Sequence, residues 1–587
     1  MSFSSTTGKS LAASVHEMSS DTSAPARSSD HLTTAGVVEE AEVPTASQKR
    51  KPLAFWMVFV ALCFSCFLAA LDLTAVSTTL PDIAQTFQST DYSWIGSAYA
   101  LTSTAFVPWT GGLANIFGRR PVMLGGLILF GLGSALTGAA QSMAMAIGGR
   151  SVQGIGGGAI LTMVEIIVCD LVPLAERGAY FGIIGCVWAL ASAIGPPIGG
   201  ALASAGQWRW LFYLNLPLCG LAILLVIFFL DVKAPKSTMR EKLDQMDFYN
   251  IIFVAAVTSL VLALTWGGST YAWSSGRVLA PLILGICGIL AFLWIERSFV
   301  RHPTVPFDIL KSRTTLLGYA TTFLHSVIMM MIVYFLPTAY FQAAREFSPI
   351  RSGTALFSFC FTVAPFAILT GAWVTITQKY KLQNLVGWVF VCIGSGLLIL
   401  LRWDSSKGLW AGLPVVVGIG LGILYTGTQF AVLAPLSPSQ QTHAIAFFGF
   451  IRALGQVFGI SIGTTALQNQ LNKKLPAGFI AEIGGSAEAA FAAIPRISSL
   501  PEPTRTQVRA AFADSAQVLW IIGCGLAGAA LILVLFLEDL KLATTGDENW
   551  GLKEKSTKSA APAQGLEEKN IGARVQTPGV EEKNIGP

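Results

Sequence analysis

Fourteen apolar runs of membrane-spanning length are what most limits the architecture open to this chain. They lie at about 54–76, 93–113, 121–140, 143–169, 178–203, 210–230, 248–266, 278–296, 316–341, 353–375, 384–401, 409–433, 443–467 and 516–537. Roughly 20 apolar residues rising ~1.5 Å each cross a ~30 Å hydrocarbon core, and within that core a chain must satisfy its own backbone. The expected fold class is therefore an all-α membrane protein with 14 transmembrane helices. Charge content agrees: 12% of the 587 residues are charged, against roughly 25% in soluble proteins.

An even number of spans puts both tails on one side. Arg and Lys in the connections say which: sixteen of them (Lys49, Arg50, Lys51, Arg119, Arg120, Arg177, Lys233, Lys236, Arg240, Lys242, Arg297, Arg301, Lys311, Arg313, Lys379, Lys381) share the tails' side. The short opposite loops hold six: Arg209, Arg277, Arg345, Arg351, Arg402 and Lys407. This bias predicts cytosolic termini. Residues 1–52 read as a disordered cytosolic tail with no cleavable signal, and 541–587 as a second such tail that repeats EEKNIG at Glu567 to Gly572 and at Glu581 to Gly586. Gly8, Lys9 and Ser10 lack the glycine that a phosphate loop needs, since Phe3 stands there. No nucleotide, nucleic-acid or cofactor site is expected. All nine cysteines lie in or beside apolar runs, which is not a disulfide framework, and no metal is expected.

The chain repeats itself. The second span ends in Gly111 and Gly112 with Arg119 and Arg120 following, and the tenth ends in Gly371 with Lys379 and Lys381 following. Gly195 and Gly199 of the fifth span are echoed at the same spacing by Gly455, Gly459 and Gly463 of the thirteenth. Spans one to six and nine to fourteen are read as parallel repeats. The domains expected are an N-terminal six-helix bundle over 53–230, linkers and two inserted helices over 231–315, and a C-terminal six-helix bundle over 316–540 with a long exterior loop over 468–515.

Charges inside lipid are expensive, roughly 2.5 to 3.5 kcal/mol each on insertion scales, and mark function. Asp72 lies in span one, Arg150 and Glu165 in span four, and Arg452 in span thirteen. A carboxylate in a low-dielectric cavity resists ionisation while a nearby guanidinium favours it. Asp72 is thus read as a proton site, or else as half of a structural ion pair with Arg150, with Glu165 as the second candidate proton carrier. Gly111, Asn115, Gly118, Arg119 and Arg120 are read as a gating latch that binds helix ends or acidic partners such as Asp170 and Glu176. Gly182, Gly195, Pro196, Gly199 and Gly200 mark a hinge or seam where a neighbouring helix comes close. Gln153, His325, Gln429, Arg452 and Gln456 are candidate substrate-cavity residues; His325, Gln429 and Gln456, with Tyr425 and Asn215, read equally well as helix-to-helix contacts.

Four motifs in order carry a resemblance: LDLTAVSTTLPDI at 71–83, GGLANIFGRRPVML at 111–124, GGRSVQGIGGG at 148–158, and GIIGCVWALASAIGPPIGG at 182–200 followed by WRWLFYLNLP at 208–217. Over residues 53 to 540 the chain resembles the major facilitator superfamily, most closely the fungal efflux pumps of its fourteen-span drug:proton antiporter group. The resemblance implies two rocking six-helix bundles and export coupled to inward protons, with Asp72 and Arg150 as coupling elements. Asn115 stands where the family has Asp, and Ala191 where its antiporter motif has another glycine. The expected function is a proton-coupled secondary transporter, not an enzyme, exporting small amphipathic organic compounds by alternating access, as a monomer in the plasma membrane. The partners it implies are a small-molecule substrate, protons and the lipid bilayer. A siderophore or vacuolar amino-acid carrier of the same fold is the alternative.

Overall fold

Each apolar run becomes a helix, giving fourteen long helices among the described residues: α1 (Leu53–Phe87), α2 (Ser93–Phe117), α3 (Arg119–Gly138), α4 (Met143–Leu171), α5 (Arg177–Ser204), α6 (Arg209–Phe229), α7 (Asn250–Trp266), α8 (Gly276–Ser298), α9 (Arg313–Phe335), α10 (Phe357–Thr377), α11 (Lys381–Leu398), α12 (Lys407–Leu433), α13 (Pro438–Lys474) and α14 (Thr504–Leu535). The computed structural model describes residues 51–87, 93–232, 238–244, 246–268, 271–300, 303, 307–482, 490–491 and 493–543. Apart from a few residues next to α1 and α14, the tails expected over 1–52 and 541–587 lie outside the described residues. Twelve described helices are long and apolar enough to cross a membrane. Of the other two, α7 is apolar but has 17 residues, and α2 dilutes its apolar side chains with Ser, Thr and Gly.

The exterior loop expected over 468–515 is shorter than its sequence suggests, because α13 runs on to Lys474 and α14 starts at Thr504. Hydropathy stops at the first polar residues, whereas a helix needs only its own backbone bonds. Lys473 and Lys474 in the last turn of α13 also suit the negative end of its dipole.

The two halves pack alike. In the first, α1 lies against α4, α5 and α6, α4 against α2 and α3, and α3 against α6; in the second, α9 lies against α12, α13 and α14, α12 against α10 and α11, and α11 against α14. The contacts between halves match as well. Helix α5 runs along α10 as α13 runs along α2, and α4 touches α13 as α12 touches α5. Inserted α7 and α8 pack on each other, with α7 resting on α2 and α13. Both ends of the described chain meet the turn between α4 and α5: Lys51 Nζ pairs with Glu176 at 3.1 Å, and the Ala175 amide donates to the Ala543 carbonyl at 3.2 Å. That shared turn defines the tail side of the molecule.

The small residues of α5 let neighbouring helices come close. Gly178 faces Gly371 of α10 so closely that a side chain on either would strike the other's backbone. Gly182 meets Ile368 of the same helix, Gly195 meets Thr74 of α1, and Pro196 and Gly200 meet the short helix Pro349–Ala355. Gly199 is buried. Without a hydrophobic drive between helices in lipid, such close backbone packing carries the association. Replacing Gly371 by valine is expected to push α10 off α5 and cost about 1–3 kcal/mol. Thermal melting of the detergent-solubilised variant checks this; an unchanged midpoint would show the seam to be slack.

On the side away from the tails, Glu346 accepts two 2.7 Å hydrogen bonds from Arg505, and Arg509 lies 3.7 Å away. The Arg505 hydrogen bonds, aided by the charge of Arg509, hold this carboxyl below its ordinary value of 4.5. A depressed value in the folded state means that the stabilisation is complete above 4.5 and is lost as pH falls through the folded value. Acid is therefore expected to loosen the joint between the segment that follows Leu336–Ala344 and the start of α14, and Glu346→Gln to abolish that acid sensitivity. Proteolysis of the 475–503 connection at graded pH measures both.

Candidate functional site

Helix α4 carries three charged side chains, and each is tied to a different neighbour. Arg150 lies about two turns from its far end and Glu165 under two turns from its tail-side end, so they are separated along the axis by roughly 22 Å at ~1.5 Å per residue. Asp170 sits in the final turn. The three mark three levels of the molecule.

At the far level Asp72 and Arg150 form a fully buried pair at 2.5 Å. Gln153 and Asn215 donate to Asp72 Oδ1 at 2.9 and 2.8 Å, and Gln153 Oε1 accepts from Arg150 at 2.7 Å. Ser134 accepts from Asn215 and Gln153 and donates to the Phe212 carbonyl. Arg150 also donates to the Ile95 carbonyl at 3.0 Å and lies over the Tyr99 ring at 4.4 Å. The network joins α1, α2, α3, α4 and α6 of one bundle and satisfies both carboxylate oxygens. Gln153, expected in a substrate cavity, is wholly buried in this network: its NH2 donates to Asp72 and Ser134, and its oxygen accepts from Arg150.

At the tail level Arg119 donates to Asp170 at 2.7 and 3.2 Å, to Asn115 Oδ1 at 3.0 Å and to Thr442 Oγ1 at 3.3 Å. The Asn115 amide meets His443 Nε2 at 2.9 Å. Arg177 donates to Gln441 at 2.6 Å and to two carbonyls that end α4. Thr442, His443 and Gln441 all belong to α13, so this lock crosses between halves. Gly118 joins α2 to α3 at φ 93°, a backbone state that only glycine adopts freely. Gly111 packs on Ala446, where a Cβ would come within 2.5 Å. Arg120 binds a helix end, the Ile227 carbonyl, at 2.6 Å. Glu176, read as a possible latch partner, is instead paired with Lys51.

Between these levels Glu165 and Arg452 pair at 2.5 Å across the two halves. Arg452 lies over the rings of Phe448 and Tyr425, at 4.5 and 5.0 Å. Glu165 Oε2 is buried and takes no hydrogen bond. Of the other cavity candidates, His325 shares a 3.1 Å bond with the Leu421 carbonyl of α12, Gln429 is buried with its amide nitrogen unpartnered, and Gln456 is half-buried. Reading the chain by its apolar runs missed Ser134, and missed Gln441, Thr442 and His443 as lock residues. The polar run at the start of α13 was the one available signal for the last three.

A family model described as Major Facilitator Superfamily matches residues 62–460. The MFS-type efflux pump LUC4 of Fusarium sp is 39% identical over 518 residues, covering 86% of this chain and 92% of that protein. The efflux pump FUS6 of Gibberella moniliformis is 38% identical, covering 88% of this chain and 93% of its own. The acurin A biosynthesis cluster MFS-type transporter of Aspergillus aculeatus is 34% identical over 88% of this chain and 94% of its own. Among solved structures, the human organic anion transporter MFSD10 matches with a TM-score of 0.50 at 17% identity, covering 81% of this chain and 100% of that one, a likeness of fold alone.

Proposed function

Because the chain belongs to the major facilitator superfamily, we propose that it exports small amphipathic organic compounds in exchange for protons, by alternating access between its two six-helix bundles. The observation that carries this reading is the Glu165–Arg452 pair, which joins the halves through one ionisable carboxylate. Protonating Glu165 removes the charge that holds Arg452, and the mid-level tie between the bundles is released. The tail-level lock then decides which side opens. With tails in the cytosol, as the sixteen-to-six bias of basic residues supports, the lock closes the cytosolic side. Relatives named as efflux pumps, and one named for a biosynthesis cluster, support outward transport, and the plasma membrane is the natural site for it.

The geometry favours Glu165 over Asp72 as the proton carrier. Both oxygens of Asp72 are occupied by donors inside one bundle, so its protonation breaks a scaffold rather than a joint between moving parts. One proton crossing ~100 mV supplies about 2.3 kcal/mol, which sustains roughly a fifty-fold gradient. The test is flux of a fluorescent amphiphile in reconstituted vesicles. An imposed pH step is expected to drive uptake that a protonophore collapses; flux indifferent to the step refutes the reading.

A further inference from the structure

The Glu165–Arg452 pair uses only half of its carboxylate. Arg452 donates to Oε1, while Oε2 is shut away from solvent without a donor, an arrangement that is costly unless a visiting group fills it. The ionisable groups facing the pair come from several helices: Cys66 of α1, Cys169 of α4 and Tyr425 of α12 face Glu165, and His325 of α9 faces Arg452. None of these makes a hydrogen bond to Oε2. Tyr425 and Phe448 supply an aromatic wall beside the guanidinium.

The geometry assigns Glu165 Oε2 to the exported compound: the cargo is an uncharged amphiphile that presents an O–H or N–H group to this oxygen and its apolar body to the aromatic side chains. A free carboxylate on the cargo is disfavoured, because Arg452 is already neutralised and the added anion would face Glu165. An uncharged donor leaves the ion pair intact. A proton arriving on Oε2 takes the same lone pair that the donor uses, so proton and cargo exclude one another. That exclusion is what an exchanger requires, and the assignment rests on the proton-driven export proposed above.

Two uncharged dyes of nearly equal size separate the outcomes: 7-amino-4-methylcoumarin, which has N–H donors, and its 7-dimethylamino analogue, which has none. On the purified full-length protein at about pH 8, the amino dye is expected to bind roughly tenfold more tightly, the worth of one hydrogen bond to a charged acceptor. Acidification to about pH 5 is expected to erase that advantage and to leave the dimethylamino dye unaffected. In Glu165→Gln, whose one side-chain oxygen stays with Arg452 and whose NH2 takes the place of Oε2, the amino dye loses both its advantage and its dependence on pH. Size-exclusion profiles verify that the variant is folded. Equal affinities for the two dyes, no binding of either, or pH dependence that survives in Glu165→Gln would each overturn the assignment. Vesicle flux separates this from the parent reading: pH-driven flux with equal affinities refutes the assignment alone, whereas flux blind to pH refutes proton coupling.

Discussion

Replacing Arg150 with methionine is expected to cost about 3–5 kcal/mol of stability, since it leaves a buried carboxylate without its counter-charge. Asp72 and Arg150 are each 1% exposed, and the loss reaches further than one pair. Gln153 loses the donor to its Oε1, and the Ile95 carbonyl loses the guanidinium donor. The expected readout is a much lower melting temperature and aggregation on size exclusion, before any transport assay. Changing both members together, to Asp72→Asn with Arg150→Met, is expected to recover part of the loss, because the amide is neutral and still accepts from Asn215. A single variant that folds and melts like the parent would show that the pair is not a scaffold. The far-level network would then regain its standing as a proton site.

Glu165→Gln is expected to do the reverse, keeping the fold and losing the work. Glu165 and Arg452 retain 14% and 17% side-chain exposure, and glutamine still offers Arg452 an acceptor, so the loss of stability is expected to be smaller than at the fully buried far pair. Without a titrating group the exchange uncouples. The steady-state cargo ratio that one proton can hold, roughly fifty-fold at ~100 mV, is expected to fall to about one, while downhill flux persists. Measuring cargo ratio and melting temperature on the same preparation decides the matter. A variant that still concentrates cargo would move proton coupling elsewhere.

The contrast between these two carboxylates also marks where reading the chain as text runs out. Fourteen helices were legible because apolar runs of membrane length admit little else. Arg119 with Asp170 was legible as well, since both sit at neighbouring loop ends. The partner of Glu165 was not, for Arg452 lies 287 positions away and an all-apolar helix carries no periodicity to say which face it turns to its neighbour. For the same reason Gln153 was read toward a cavity when it points into its own bundle. Asn115, the departure from the family's Asp, acquires its second partner only in three dimensions: its oxygen accepts from Arg119 four residues on, and its amide meets His443.

The meeting of Lys51 and Ala543 at the turn Leu174–Glu176 has a practical side. Fluorophores attached at those two points start out as neighbours and rest on the segment that leads directly into Arg177, so energy transfer between them is saturated whatever the transporter is doing. Probes of gating belong instead on opposite sides of the contact between α5 and the short helix Pro349–Ala355, for example one near Gly200 and one near Ile350, where the proposed rocking would change the separation from its shortest value.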